Sequence, residues 1–384
     1  MRRNNLEDNY KIAIIGGGAS GLFAGSILGK KAIVLERGDR CGRKLLLTGK
    51  GRCNYTTSTP IIDLFEHYNG EKNFMRPALY ALPPEKIIER FKSFGIEPSF
   101  EERNKVFPLN GDSKSILDAL YARCNIVTNC FVKSIKKENT FLIETTKGNI
   151  TADNIILATG GNSYCQTGSD GYGYTLAKSF GHRIISPSPA LAPLWLSKDL
   201  SKAEGISIDI SVKIEKKEYR GDVVITKAGL SGPLAEDVSY MFHTEREITI
   251  SFSDIDILKI RKNNAKSNVK NALDLPDRLI KALIGDLADK KIAELKKDEE
   301  NFIINQLTSL KCKARAIASG AMSTHGGIST DEINPKTMES RIVSGLYFAG
   351  DIINVDANCG GYSLTWAFAT AKVASDSILK DLHL

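Results

Sequence analysis

Residues 11 to 37, "KIAIIGGGASGLFAGSILGKKAIVLER", constrain this chain more than any other stretch. Four apolar residues, Ile12 to Ile15, are too few for a helix of that pattern and predict a buried strand. Gly16, Gly18 and Gly21 follow with GxGxxG spacing, Ala19 and Ser20 between them, and Leu22, Ala24, Ile27 and Leu28 form a one-sided helix. Ala32 to Leu35 return as a second, parallel strand that ends at Glu36 and Arg37. Each glycine has a mechanical role. The first permits a sharp turn, the second lets backbone approach a pyrophosphate, and the third lets helix and strand pack closely. The helix N-terminus then faces the anion. Glu36 stands where a carboxylate can accept hydrogen bonds from the hydroxyls of an adenosine ribose. The strand, turn, helix and acid together predict an ADP-containing ligand.

Composition narrows the remaining classes. At 384 residues the chain can bury one large domain or two to three ordinary ones. Its net charge of +7 is spread along the chain, densest in lysine between residues 260 and 300, a pattern of solvated helix faces that speaks against nucleic acid as a partner. The seven cysteines contain no CxxC pair, and the five histidines do not join them at metal-ligand spacing. No metal site or disulfide framework is expected. The start "MRRNNLEDNYK" lacks a leader pattern, and nowhere do about 18 apolar residues run together, so the expected location is the cytoplasm, with no membrane span.

Further along, "LPPEKIIERFKSFGI" predicts a helix entered through Pro83 and Pro84 and ending at Gly95, and "KSILDALYARC" predicts another. Between Ile126 and Gly161 the pattern alternates as a strand meander that ends in the buried strand "NIIL". From Pro187 the style changes to an extended proline-rich segment, then short β segments over 205–252, then lysine-rich, mostly helical sequence over 255–311. The α/β character resumes near Gly326. The expected division is a discontinuous Rossmann-like domain (1–190 and 322–384), a β-barrel-like insert (191–253 and 312–321) and a helical subdomain (254–311).

Six stretches, in order, carry a family resemblance: "IIGGGASGL", "GRKLLLTGKGRCN", "KVFPLNGDSKSILDAL", "NIILATGGNSYCQTGSDGYGY", "ITKAGLSGP" and "INPKTMESRIVSGLYFAGDIINVDANCGGYSLTWAFATAKVAS". With these the chain resembles the HI0933-like flavoproteins, a branch of the glutathione-reductase-type FAD proteins. The resemblance implies an α/β fold, non-covalent FAD in a Rossmann-like domain, and a β-rich insert with a helical subdomain. Three places depart from the family pattern. Lys50 replaces the middle glycine of a "GGGRC" motif, Asn104 and Lys105 replace a glycine and arginine before "VFP", and Lys227 and Ala228 alter the "GLSGP" stretch.

The far end of the chain suits FAD better than NAD, because a flavin must be threaded and tuned as well as its ADP half held. Gly350 and Asp351 can approach the ribityl and phosphate groups, and Asn358, Gly360 and Gly361 open the helix that begins at Tyr362. By resemblance, its first amides point at the flavin pyrimidine edge, where negative charge collects on reduction. Lys44, Gly49, Gly51 and Arg52 bring backbone freedom and positive charge to the diphosphate, and by resemblance Cys53 and Asn54 lie beside the isoalloxazine. A P-loop is excluded, since Lys44 stands where its first glycine belongs and Gly51 where Ser or Thr belongs. A redox disulfide between Cys41 and Cys53 lacks CxxC spacing. Ala158, Thr159, Gly160 and Gly161 resemble the superfamily's second fingerprint, and Val132 is a candidate adenine contact.

His325, Cys53, Tyr164 and Tyr362, with Cys359, are the candidates near the flavin face, and His325 is the best proton donor among them. The reading is an FAD-dependent oxidoreductase that moves a hydride between flavin N5 and a small organic substrate. No second GxGxxG fingerprint appears, so NAD(P)H would dock only transiently. The insert is expected to shape the substrate pocket. A flavin-dependent tRNA-modifying protein and an FAD-binding regulatory protein without turnover are the alternatives.

Overall fold

The structure is a computed structural model that describes residues 9–109, 112–254, 260 and 264–383. The chain divides into two compact units, Met1–Ser188 with Ser323–Leu384, and Pro189–Met322. Each has its own apolar core.

In the first unit, β1 (Asn9–Ile15) runs straight into the glycine turn, the first helix spans Ala19–Leu28, and β2 (Ala32–Leu35) returns parallel to β1. All four residues of β2 are buried, as a strand covered on both faces requires. Further strands are β3 (Ile126–Val127), β4 (Val132–Lys137), β5 (Phe141–Thr145), β6 (Gly148–Leu157) and β7 (Leu346–Phe348). They join in the order β3-β2-β1-β6-β5-β4, with β7 also on β6. The long β6 serves two neighbours on one side: Gly148 to Ala152 pair antiparallel with β5, and Ile155 to Leu157 pair parallel with β7. The expected meander is thus an antiparallel arm on a parallel sheet.

Backbone hydrogen bonds align the exits of the parallel strands. Gly16 N donates to Leu35 O at 2.9 Å, Ala158 N to Ile15 O at 2.9 Å, and Ala349 N to Leu157 O at 3.0 Å. Gly16, Ala158 and Ala349 therefore lie side by side at the carboxyl edge, where open parallel sheets bind ligands. The first helix packs on the C-terminal helix, Tyr362–Asp381, with Phe23 and Phe368 stacked at 4.7 Å.

The helices predicted around Pro84 and Ser113 span Pro84–Ser93 and Ser113–Tyr121. Two further elements had no clear sequence signal. The helix Lys72–Ala81 carries an internal proline, Pro77, that reads as a breaker, and the pair Pro98–Glu101 with Lys105–Pro108 begins and ends on prolines. Burial of Phe74, Met75, Ala78 and Leu79 outweighs the proline.

The second unit holds a closed barrel of six strands in the order Leu194–Leu196, Gly229–Ser231, Lys217–Thr226, Ser207–Ile214, Arg246–Ser251, Leu310–Ala316. Leu310, Cys312, Ala314 and Ala316 point inward, alternating with exposed Lys311, Lys313 and Arg315. Helices Asp277–Ile284 and Lys297–Thr308 share its core through Leu279, Leu283, Ile303 and Leu307. Part of the lysine-rich stretch expected to be helical, 255–259 and 261–263, lies outside the described residues, as does the polar start, 1–8. Among the described residues no helix is long and apolar enough to cross a membrane.

Candidate functional site

The three fingerprint glycines do different things. A Cβ at Gly21 would fall 1.9 Å from Gly16 O, and one at Gly16, whose φ is +106°, 2.6 Å from Ala158 O. These two are needed for packing. A Cβ at Gly18 meets no protein atom within 4 Å, so the space beside it is left open by the fold itself. Gly18 caps the first helix, which has neither a side-chain cap nor an acid in its first turn, and Ala19 and Ser20 begin it. Glu36, nearly buried, accepts from Gly17 N at 2.8 Å and from Gly38 N at 2.7 Å. The acid that the sequence assigns to a ribose therefore also clamps the glycine turn, with lone pairs left on each oxygen.

The two ends of the chain meet here. A Cβ at Gly350 would fall 2.7 Å from Ser20 Oγ, so the turn after β7 abuts the start of the first helix. Lys44 Nζ, on the short helix Arg43–Leu47, lies 2.8 Å from Ser163 Oγ and 3.2 Å from Asp351 Oδ2, tying that helix to the loops after β6 and β7. Gly49, Lys50 and Gly51 are all left-handed, at φ +57°, +56° and +89°, and a Cβ at Gly51 would point into open space. Arg52 differs from the expectation. Its guanidinium pairs with Glu101 and lies 4.2 Å from the centre of the Phe107 ring, so its charge is already matched within the protein. Asn54 Oδ1 accepts from Val106 N at 3.0 Å, and Gly361 closes on this segment, since a Cβ there would fall 2.3 Å from Thr56 O.

Gly361 caps the C-terminal helix at φ +90°, again without a side-chain cap or an acid in the first turn. Gly360 lies against the Tyr362 ring, and Asn358 N donates to His67 O at 2.8 Å. In the second fingerprint, Ala158 follows β6, Thr159 Oγ1 is buried without a hydrogen-bond partner, and Gly160 is left-handed at φ +75° beside Ser169. Gly161 abuts Thr324, whose Oγ1 accepts from Asn162 N at 2.7 Å. Val132 opens β4, close to Cys130, whose N donates to Glu36 O at 2.9 Å. Arg37 is held by Asp170 at 2.8 Å.

Four of the five candidates for chemistry separate. Cys53 is fully buried, and desolvation pushes its thiol up to about 12, so it stays a neutral thiol and is corrected to a packing position. Tyr362 is corrected likewise: it is buried, its hydroxyl lies 2.9 Å from Thr59 Oγ1, and its ring stacks on His67 at 4.3 Å. Tyr164 is a half-buried loop residue at φ +54°. His325 remains. Its Nδ1 lies 2.6 Å from Asp356 Oδ1, and that hydrogen bond raises its proton affinity above the ordinary histidine value. Sequence reasoning missed Asp356, Ser163 and Asn69, because no local motif links them to the residues they touch. None of the seven cysteines is in a disulfide, Cys41 and Cys53 included.

Open space at Gly18 and Gly51, the N-termini of the first and the C-terminal helix, each free of a first-turn acid, and an orphaned, buried Ser363 hydroxyl in the first turn of the latter fit an extended anionic dinucleotide. Fold and site together define a Rossmann-type dinucleotide-binding protein. The model of the HI0933-like protein Rossmann domain matches residues 10–377, and the chain belongs to that family. It is an FAD-dependent oxidoreductase. The ribosomal RNA dihydrouridine synthase of Escherichia coli is 26% identical to it over 97% of this chain and 98% of its own length. The 3-dehydro-bile acid delta(4,6)-reductase of Clostridium scindens is 28% identical over 95% of this chain and 98% of its own length. Among solved structures, a variant of the E. coli quinol fumarate reductase FrdA shares the fold at a TM-score of 0.50 and 13% identity, covering 97% of this chain and 70% of that one.

Proposed function

We propose that this chain reduces a carbon–carbon double bond conjugated to a carbonyl in a small organic molecule, with NAD(P)H docking transiently as reductant. FAD, when bound, supplies the hydride carrier such a reduction needs, at flavin N5. The protein's share is to hold, orient and protonate. Gly18, Lys44, Gly51 and Gly350 would cradle the dinucleotide, and the first amides of the C-terminal helix would favour the negative charge that collects on the reduced ring. His325 would deliver the proton that accompanies the hydride, so that one carbon of the double bond gains the hydride and the other, next to the carbonyl, the proton.

The single observation that carries this reading is the His325–Asp356 pair, placed between the loop of Gly161 and the segment that leads to Gly361. The two relatives support the bond type. Both names denote the saturation of a ring double bond, in uridine and in a bile acid. They also motivate a second reading, in which the conjugated bond belongs to a uridine in RNA.

The test begins with the visible spectrum of the purified protein, followed by anaerobic titration with NADH and NADPH. Bleached flavin is expected to regain its colour on addition of a small enone such as a 3-keto-4-ene steroid, and His325→Gln to slow that step by about 10²- to 10⁴-fold. Recolouring by a uridine-containing RNA alone, in a salt-sensitive manner, would transfer the activity to the second reading. Bound flavin that neither nucleotide bleaches would overturn both.

A further inference from the structure

His325 lies on the strand Ser323–Ile328, just before two left-handed glycines, Gly326 at φ +95° and Gly327 at φ +131°. A Cβ at these positions would fall 2.6 Å from Ser186 O and 2.7 Å from Ile352 O. Two neighbouring backbones thus clamp the strand directly beyond the imidazole. Nδ1 meets Asp356 Oδ1 at 2.6 Å, and the other oxygen of that carboxylate accepts from Asn69 Nδ2 at 3.0 Å. The backbones of Asp356 and Asn69 are also paired, antiparallel. The Asp356 side chain is 2% exposed and that of His325 33%, so a buried anchor holds an imidazole that reaches solvent.

An ionised carboxylate only accepts hydrogen bonds, so Nδ1 donates and keeps a proton whether the ring is charged or neutral. We propose that Asp356, braced by Asn69, is a positioning residue that fixes His325 as the Nδ1–H tautomer and makes Nε2 the atom that gives up and regains the proton. This rests on the reading of His325 as the proton donor. In that step the Nε2–H bond breaks, its electron pair stays on nitrogen, and the proton joins the substrate carbon next to the carbonyl. The two electrons of the reduction travel with the hydride, whose source is NAD(P)H. The ring ends neutral with Nδ1–H still on Asp356, and solvent restores the Nε2 proton.

Asp356 has the largest effect on the charge of His325. The hydrogen bond to it raises the proton affinity of His325, and burial opposes this by less. The strand Ile184–Ala190, paired with Ser323–Ile328, brings no titratable side chain. On the Asn69 side, burial keeps the Tyr68 hydroxyl protonated and favours neutral His67. The helix Tyr172–Ser179 brings Tyr174, whose hydroxyl burial also keeps protonated. A raised folded-state value means that the stabilisation is complete below about pH 6.5 and is lost as pH rises through the raised midpoint.

The experiment is nitrogen-15 and carbon-13 NMR of histidine-labelled full-length protein across pH, without substrate, on wild type, Asp356→Asn and Asp356→Glu. Wild-type His325 is expected to titrate above the free-histidine midpoint and to show the Nδ1–H tautomer once neutral. Asp356→Asn should lower the midpoint, and Asp356→Glu should restore part of the rise. An unmoved midpoint in Asp356→Asn, or an Nε2–H tautomer in wild type, overturns the proposal. The wild-type tautomer decides it even if the variants fail to fold. In turnover, Asp356→Asn should move the alkaline limb of the kcat profile to lower pH with KM unchanged, whereas failure of every enone to reoxidise the flavin would reject the double-bond reading and leave the NMR result standing.

Discussion

Gly18 and Gly21 look equivalent in the sequence but face opposite surroundings. A methyl group at Gly21 drives into the Gly16 carbonyl, a backbone atom that cannot move without opening the turn, so Gly21→Ala should destabilise the apoprotein by about 1–3 kcal/mol or more. At Gly18 the same methyl group enters empty space with φ at −81°, and only a helix-cap preference is lost, below about 1 kcal/mol. Gly18→Ala should therefore keep the apoprotein's denaturant midpoint nearly unchanged while weakening FAD binding. Titration of apoprotein with FAD, set beside urea unfolding of both variants, checks the contrast. Equal losses of stability would show that Gly18 is held small by packing after all. Glu36 teaches a related lesson, because its spacing predicts a ribose contact while its two bonds to Gly17 and Gly38 were invisible without the turn.

At the scale of elements, two departures from the family pattern fall on backbone that kept its shape. Lys50 and Asn104 replace expected glycines, yet both are left-handed, at φ +56° and +58°. Asparagine tolerates that region, and lysine does so at a cost of about 1–2 kcal/mol. Restoring glycine returns that cost less about 0.5–1 kcal/mol for the greater freedom of the unfolded chain. Lys50→Gly is thus expected to stabilise the protein by about 1 kcal/mol, seen as a higher urea midpoint at constant slope. The legible elements were those with a strong period or a mechanical motif, such as β1, the first helix and β2. Helix Lys72–Ala81 was not legible, because its signal lies in the pocket that receives Phe74 and Met75, supplied by residues far along the chain.

The whole molecule is two cores, and only one of them contains the residues that would hold FAD. A ligand that binds one folded unit stabilises that unit, by about 2.7 kcal/mol at a hundredfold excess over its dissociation constant. Calorimetry of the apoprotein should resolve two transitions, and FAD should raise only one. A single transition that moves as a whole would mean the units unfold together. The residue pattern alone determined the parallel pair β1 and β2 with the helix between them and pointed to an ADP-containing ligand, because period, glycine spacing and a carboxylate at a strand end are local properties of backbone sterics and charge. Tertiary structure decided the rest. It sent Cys53 and Tyr362 into the packing, matched Arg52 with Glu101, and brought Asp356 and Asn69 to His325, since burial and contact between distant segments arise only when the chain closes on itself.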